Sequence, residues 1–179
     1  QLSAAEIATT LDTLKALGVT DIRVAVPWAA VQPYNSTTYD WSKLDAVIDA
    51  AAARDMGVLG VINATPPWAG FPLVGHPDPA AYATFASEVA TRYAGKISAY
   101  EVWNEPNGVT FWSPPDATSY TELLKAAYPA IKAADPDAEV IAGVLGAVGT
   151  LPGVTVSPVT FVAQMYADGA KGFFDALSY

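Results

Sequence analysis

Helix-like and strand-like stretches alternate along the whole chain, and strands are predicted to start at even spacing near Asp21, Val58, Ala99, Glu139 and Phe174. Alternation at this spacing specifies βαβ units, and βαβ units specify a parallel sheet with helices packed on it. The chain opens on Ser3-Ala4-Ala5-Glu6, a capping box in which the Ser3 and Glu6 side chains each take a free backbone amide. Ile7, Leu11, Leu14 and Leu17 follow at helical spacing, and Gly18 ends the helix. Residues 21–28 read as the first strand, with Ile22, Val24 and Val26 on one face and Arg23 and Ala25 on the other. A helix over 40–56 leads into the apolar run 58–62, as expected of a strand buried on both faces. Asp78-Pro79 starts the next helix, an N-cap followed by proline at the first helical position, and Gly95 follows its end. A third strand is predicted over 97–104. Beyond it lie a helix over 118–134, kinked at Pro129, and a strand over 139–144. Ser157-Pro158 opens the last helix, and 173–178 reads as the last strand. At 179 residues the chain is long enough for one domain with a sizeable core, so 1–179 is read as a single domain.

The third strand runs into Tyr100-Glu101-Val102-Trp103-Asn104-Glu105-Pro106-Asn107. In parallel α/β folds the C-terminal strand ends carry the chemistry. Glu105 sits at such an end, between Trp103 and Pro106, with no cation beside it in sequence. Consecutive residues on a regular strand point to opposite faces. Asn104 and Glu105 therefore share a side only if the strand ends or bulges there, and the sequence is read as doing so. Glu101, Trp103 and Glu105 fall on one strand face by alternation. A buried carboxylate at Glu101 requires a partner, and Arg23, on the same side of the sheet, is the natural one. Trp28, Trp68, Trp103 and Trp112 all fall at or just past predicted strand ends, and Tyr179 ends the last strand. Flat aromatic rings suit the C–H faces of sugars, so these side chains are candidate sugar platforms, with packing as the competing use. Trp41 opens a helix and is assigned to packing, and His76 is read as a solvated loop residue.

The string Trp103-Asn104-Glu105-Pro106-Asn107, followed by Phe111-Trp112, resembles the acid/base motif of the clan A glycoside hydrolases. Within that clan it looks most like family 39, which includes β-xylosidases, α-L-iduronidases and exopolysaccharide hydrolases. The resemblance implies an α/β fold that is part of a TIM (β/α)8 barrel. A complete barrel needs about 250 residues, and the five strands here match strands two to six of eight. It further implies Glu105 as general acid/base and Asn104 as donor to the sugar 2-hydroxyl. Arg23 would lie near the nucleophile, and Tyr179 would stand as a rim aromatic. The nucleophilic glutamate of the clan lies on strand seven, outside these residues. The function implied is hydrolysis of O-glycosidic bonds in oligo- or polysaccharides. The alternative is a non-catalytic carbohydrate-binding or truncated module, whose aromatic rim holds sugar without cleaving it.

Composition narrows the partners. A net charge of -9 with no basic run excludes a nucleic-acid partner. With 0 Cys and 1 His, no thiolate or multi-histidine metal site is expected, and no cofactor is implied. Neither a phosphate-binding glycine motif nor a G-x-S-x-G elbow is present. No apolar run reaches membrane-spanning length, and no signal peptide is visible, so the compartment stays open although secretion is compatible. A carbohydrate is the expected partner. An open sheet also exposes two edges, through which copies are expected to associate if the chain is complete.

Overall fold

The computed structural model describes residues 2–71 and 73–179. Helix α1 (Ala4–Ala16) is followed by strand β1 (Asp21–Pro27), a short helix α2 (Trp28–Val31) and helix α3 (Ser42–Ala52). Strand β2 (Gly57–Asn63), helix α4 (Pro79–Arg92), strand β3 (Ala99–Val102) and helix α5 (Ala117–Ala134) come next. Strand β4 (Glu139–Ala142), helix α6 (Pro158–Ala167) and strand β5 (Ala176–Leu177) complete the order. The strands form one parallel sheet in the order β1-β2-β3-β4-β5, so each βα unit adds its strand beside the one before. This is the α/β architecture of part of a (β/α)8 barrel.

Most element starts follow the predicted chemistry. The Ser3–Glu6 capping box forms, with the Ser3 amide 2.7 Å from the Glu6 carboxylate. Asp78 accepts the Ala81 amide at 2.8 Å, and Ser157 caps α6. Several ends differ. Leu17 caps α1 and is exposed rather than packed. Trp28 belongs to α2, because the chain turns helical immediately after Pro27. Helix α5 continues through Pro129. Strand β5 pairs over two residues only, having a neighbour on one side.

Register separates the two faces of the sheet. Val26, Ile62, Val102 and Ala142 lie side by side and are fully buried beneath the helices. Tyr82, Phe85 and Val89 of α4 and Tyr120, Leu124 and Ile131 of α5 cover that face. The opposite face carries the row Ala25, Val61, Glu101, Ile141, Ala176 and, below it, Arg23, Leu59, Ala99, Glu139. No helix lies on this second face among the described residues, and Arg23 and Ala25 are exposed there. The two rows are the lining a closed barrel would have inside.

Candidate active site

The end of β3 is built by a backbone reversal. The Trp103 amide still donates to Ile62 O at 3.0 Å, as a paired strand residue would. Then φ turns positive, to 69° at Trp103 and 42° at Glu105. Left-handed backbone at two bulky non-glycine residues is strained, and it persists only where the surroundings enforce it. Here they do. The Tyr120 hydroxyl donates to Val102 O at 2.8 Å and accepts the Gly143 amide at 2.6 Å. The Glu105 amide donates to Val144 O at 2.8 Å. Gly143 is required for this approach, since a Cβ there would lie 2.7 Å from Val102 O.

The reversal decides which side chains face where. Trp103 swings away from the Glu101 side into the helix layer, where it is buried against Trp112 and Tyr82, and its indole donates to Phe111 O at 2.7 Å. Alternation placed Trp103 with Glu101, but alternation stops where the strand stops. Asn104 reaches Arg23 instead: the Arg23 Nη2 donates to Asn104 Oδ1 at 2.7 Å, and its Nε donates to Glu101 Oε2 at 2.8 Å. One guanidinium from β1 thus crosses β2 and holds both ends of the β3 motif. Glu101 is fully buried, and its other oxygen accepts the Val144 amide, so both lone-pair sets have partners. Arginine only donates, which fixes the carboxamide with its oxygen toward Arg23. The Asn104 Nδ2 has no partner among the described residues and is left as a free donor at the sheet's C-terminal edge.

Glu105 is half-buried at the same edge, and no Lys or Arg pairs with it among the described residues. Its carboxylate packs beside Gly146, where a Cβ would stand 3.6 Å from both Cδ and Oε2. A hydrogen-bonded carboxamide and an unpaired carboxylate on adjacent residues can between them orient a hydroxyl-rich ligand and exchange a proton with it.

The aromatic expectations fare differently. Trp28 is fully buried, stacked on Phe85 at 5.4 Å and edge-on to Trp68, with its indole N–H given to Gln32 Oε1 at 2.6 Å. Trp112 is buried against Trp103 and Tyr120, and its N–H goes to Ser119 Oγ at 3.2 Å. Neither presents a ring face to a ligand, so both are corrected from sugar platforms to core. The reason is the same for each: the chain turns out of the sheet before the residue is reached. Trp68 is half-buried, with its N–H on Gln32 O at 2.7 Å. Tyr179 is exposed beside Leu177 and the Val159 side of α6. His76 lies in a loop, as read, and is half-buried there: it stacks on Trp112 at 4.1 Å with Nε2 2.6 Å from Pro114 O. A cavity of about 240 Å³ opens between the β2 and β3 loops, bounded by Asn63, Leu73, Val74, Trp103 and Phe111; Glu105 is not in its wall. Among the described residues no cluster of His, Cys, Asp or Glu could hold a metal, and no helix is long and apolar enough to cross a membrane.

One residue of the motif escaped the sequence reading. Asn107 is fully buried, and its Nδ2 donates to Gly146 O and Val156 O, each at 2.9 Å, while its Oδ1 accepts the Gly146 amide at 2.8 Å. Its partners lie some forty and fifty residues away in the chain (39 and 49) and carry no side-chain signal, so nothing local could have revealed the role.

Comparison with known proteins bears on the family and the fold. The family model of Cellulase (glycosyl hydrolase family 5) matches residues 3–152. Endoglucanase CelA of Streptomyces lividans is 43% identical over 91 residues, covering 47% of this chain and 18% of that protein. Endoglucanase E-5 of Thermobifida fusca is 37% identical over 92 residues, with the same coverage of 47% and 18%. The chain thus matches under a fifth of the length of these curated relatives (18%). A family 39 glycoside hydrolase from Bacteroides cellulosilyticus WH2 superposes with a TM-score of 0.74 at 22% identity, over 97% of this chain and 35% of that one. At that identity the family 39 likeness carries the fold, and the family model carries the family.

Proposed function

The chain belongs to the cellulase family, glycosyl hydrolase family 5, and on that premise we propose that it is the acid/base-bearing part of a retaining glycoside hydrolase. The two endoglucanase relatives make oligo- or polysaccharide the favoured substrate class. In this reading residues 1–179 form one incomplete barrel unit, and the free edges of β1 and β5 are where further strands, of this polypeptide or of a second copy, add on.

Retaining enzymes use two carboxyl groups about 5 Å apart. Glu105 protonates the glycosidic oxygen as the C–O bond breaks. A second carboxylate, from outside these residues, attacks the anomeric carbon and forms the glycosyl-enzyme. Glu105 then takes a proton from water, which cleaves that ester and returns the sugar with its original configuration. Asn104 donates its free Nδ2–H to the hydroxyl beside the anomeric carbon, a bond that strengthens as positive charge develops. Arg23 keeps the carboxamide in that orientation and leaves part of its cationic head open toward the concave face, its side chain being 46% exposed.

One observation carries the reading: the double reversal at Trp103 and Glu105 sets Asn104 and Glu105 together at the C-terminal edge, with Asn104 locked by Arg23. Burial of Trp28 and Trp112 weighs against the non-catalytic alternative, which needs exposed rings to hold sugar. The test is Glu105→Gln in the full-length polypeptide, assayed on a disaccharide. Loss of about 10²- to 10⁴-fold in turnover with unchanged folding is expected, and full turnover would end the assignment.

A further inference from the structure

The Asn107 carboxamide closes a loop. Gly146 and Val156, at the two ends of the β4–α6 connection, both converge on this one buried side chain. The Val156 amide also donates to Asn107 O at 2.8 Å, so backbone and side chain clamp together. Both amide hydrogens and the oxygen of the carboxamide are engaged, which opposes its rotation. Between the clamped ends, residues 147–154 stand exposed. They are nonetheless ordered from within. Leu151 and Thr155 exchange two backbone bonds of 2.9 Å, the Thr155 hydroxyl donates to Gly149 O at 2.8 Å, and the Val109 amide donates to Val154 O at 3.0 Å. Three of the projecting side chains are large and apolar: Val148, Leu151 and Val154 are 40%, 57% and 40% exposed.

The base of this loop lies next to the proposed acid. Gly146, which accepts from and donates to Asn107, also lies close to the Glu105 carboxylate, since a Cβ added there would stand 3.6 Å from it. A general acid stands beside the oxygen it protonates, and that oxygen leaves with the departing group. A wall beside the acid therefore borders the departing group rather than the sugar that stays. From this we infer that Asn107 is a positioning residue. It fixes the 147–154 loop as an apolar wall for the leaving-group sugar and, through Gly146, sets the approach of the Glu105 carboxylate to the leaving oxygen. The inference rests on the proposed function and goes beyond it by assigning the leaving-group side. Apolar contacts at Val148, Leu151 and Val154 suit the C–H face of a pyranose.

The experiment compares two substrates in the full-length polypeptide: a dinitrophenyl glycoside, whose departure needs no proton and makes little use of the wall, and an unactivated disaccharide that needs both. Asn107→Ala is expected to lower kcat/KM on the disaccharide about 10- to 100-fold more than on the dinitrophenyl glycoside, the scale of a displaced catalytic group. A residue that only supports the fold would lower both by one factor. Leu151→Ser, at an exposed tip, is the second variant and decides alone if the first does not fold. It should raise KM for the disaccharide several-fold and leave the dinitrophenyl glycoside unchanged. Equal losses on both substrates for Asn107→Ala, or no change in either for Leu151→Ser, would overturn the inference. Glu105→Gln in the same assays separates the two levels: if it keeps full rate on the disaccharide, the underlying reading fails whatever Asn107 does.

Discussion

The two faces of this sheet are made by the same strands and used in opposite ways. On the helix side, Val26, Ile62, Val102 and Ala142 lie under a continuous aromatic layer of Trp28, Tyr82, Phe85, Trp103, Trp112 and Tyr120. On the other side a sparse polar chain, Arg23 to Glu101 and Asn104, runs up to the edge where Glu105 sits. The aromatic side has large buried area and few polar atoms, so its energy comes from apolar burial and packing. The polar side is satisfied bond by bond, and its value lies in orientation. Aromatic residues near strand ends can look like a binding rim in a sequence, yet here they are mostly consumed by the core. The proposed function rests instead on the polar residues between them.

Trp28→Ala attacks the aromatic side and should have the largest effect, a loss of about 3–5 kcal/mol in stability read by denaturant unfolding. The Arg23–Glu101 geometry on the far face should survive in whatever remains folded. A loss below about 1 kcal/mol would mean that Trp28 is not core, and the contrast between the faces would break. Glu101→Gln attacks the polar side. It weakens the bond from Arg23 and removes a charge that is buried while its partner is half-open, at about 1–3 kcal/mol. The same variant should cost substrate turnover out of proportion to stability, because Asn104 loses its fixed neighbour. Stability loss with unchanged turnover would place Glu101 with the scaffold instead.

How far the sequence predicts these two faces depends on distance along the chain. Local signals are reliable: the Ser3 capping box, Asp78-Pro79 and Ser157 each rest on a few adjacent residues, and each forms, as does the βα alternation built from such local elements. The Arg23–Glu101 pair was also legible, since strand alternation puts both on one face and a buried carboxylate demands a cation. An end or bulge of the third strand at Asn104 and Glu105 is read from the need to bring the two together, with the strand running over 97–104; β3 in fact stops at Val102. The consequence for Trp103 is not legible, because period-two reasoning has no content once φ changes sign. Trp28 was misplaced for a related reason: Pro27 ends β1, and a helix begins at once. Asn107 was invisible because its partners are backbone groups, which every sequence has.

Two smaller tests sharpen the contrast. Tyr120→Phe removes one hydroxyl that joins Val102 O and Gly143 N, the link between the helix layer and the β3 reversal, and should cost about 1–2 kcal/mol with no change in packing volume. Asp45→Asn probes the outer rim of the helix layer. Arg92 donates to Asp45 at 2.6 Å and 2.9 Å, and this hydrogen bonding, with a further bond from Tyr93, holds the Asp45 carboxyl below the usual range despite partial burial. A depressed folded pKa contributes stability above the unfolded pKa and loses it as pH falls through the folded value. The variant should therefore be less stable at pH 7 by about 0.2–1 kcal/mol, since the pair is partly exposed, and the difference should vanish in strong acid. A difference that persists at low pH would assign the effect to packing.

The central claim is that Glu105 gives and takes the proton. Glu105→Ala in the full-length polypeptide, assayed on a dinitrophenyl glycoside with and without azide, tests it most directly. The account predicts slow turnover that azide restores, with a glycosyl azide of retained configuration as product, because azide needs no base to attack the glycosyl-enzyme. Wild-type turnover without azide, or turnover that azide leaves unchanged, would contradict it.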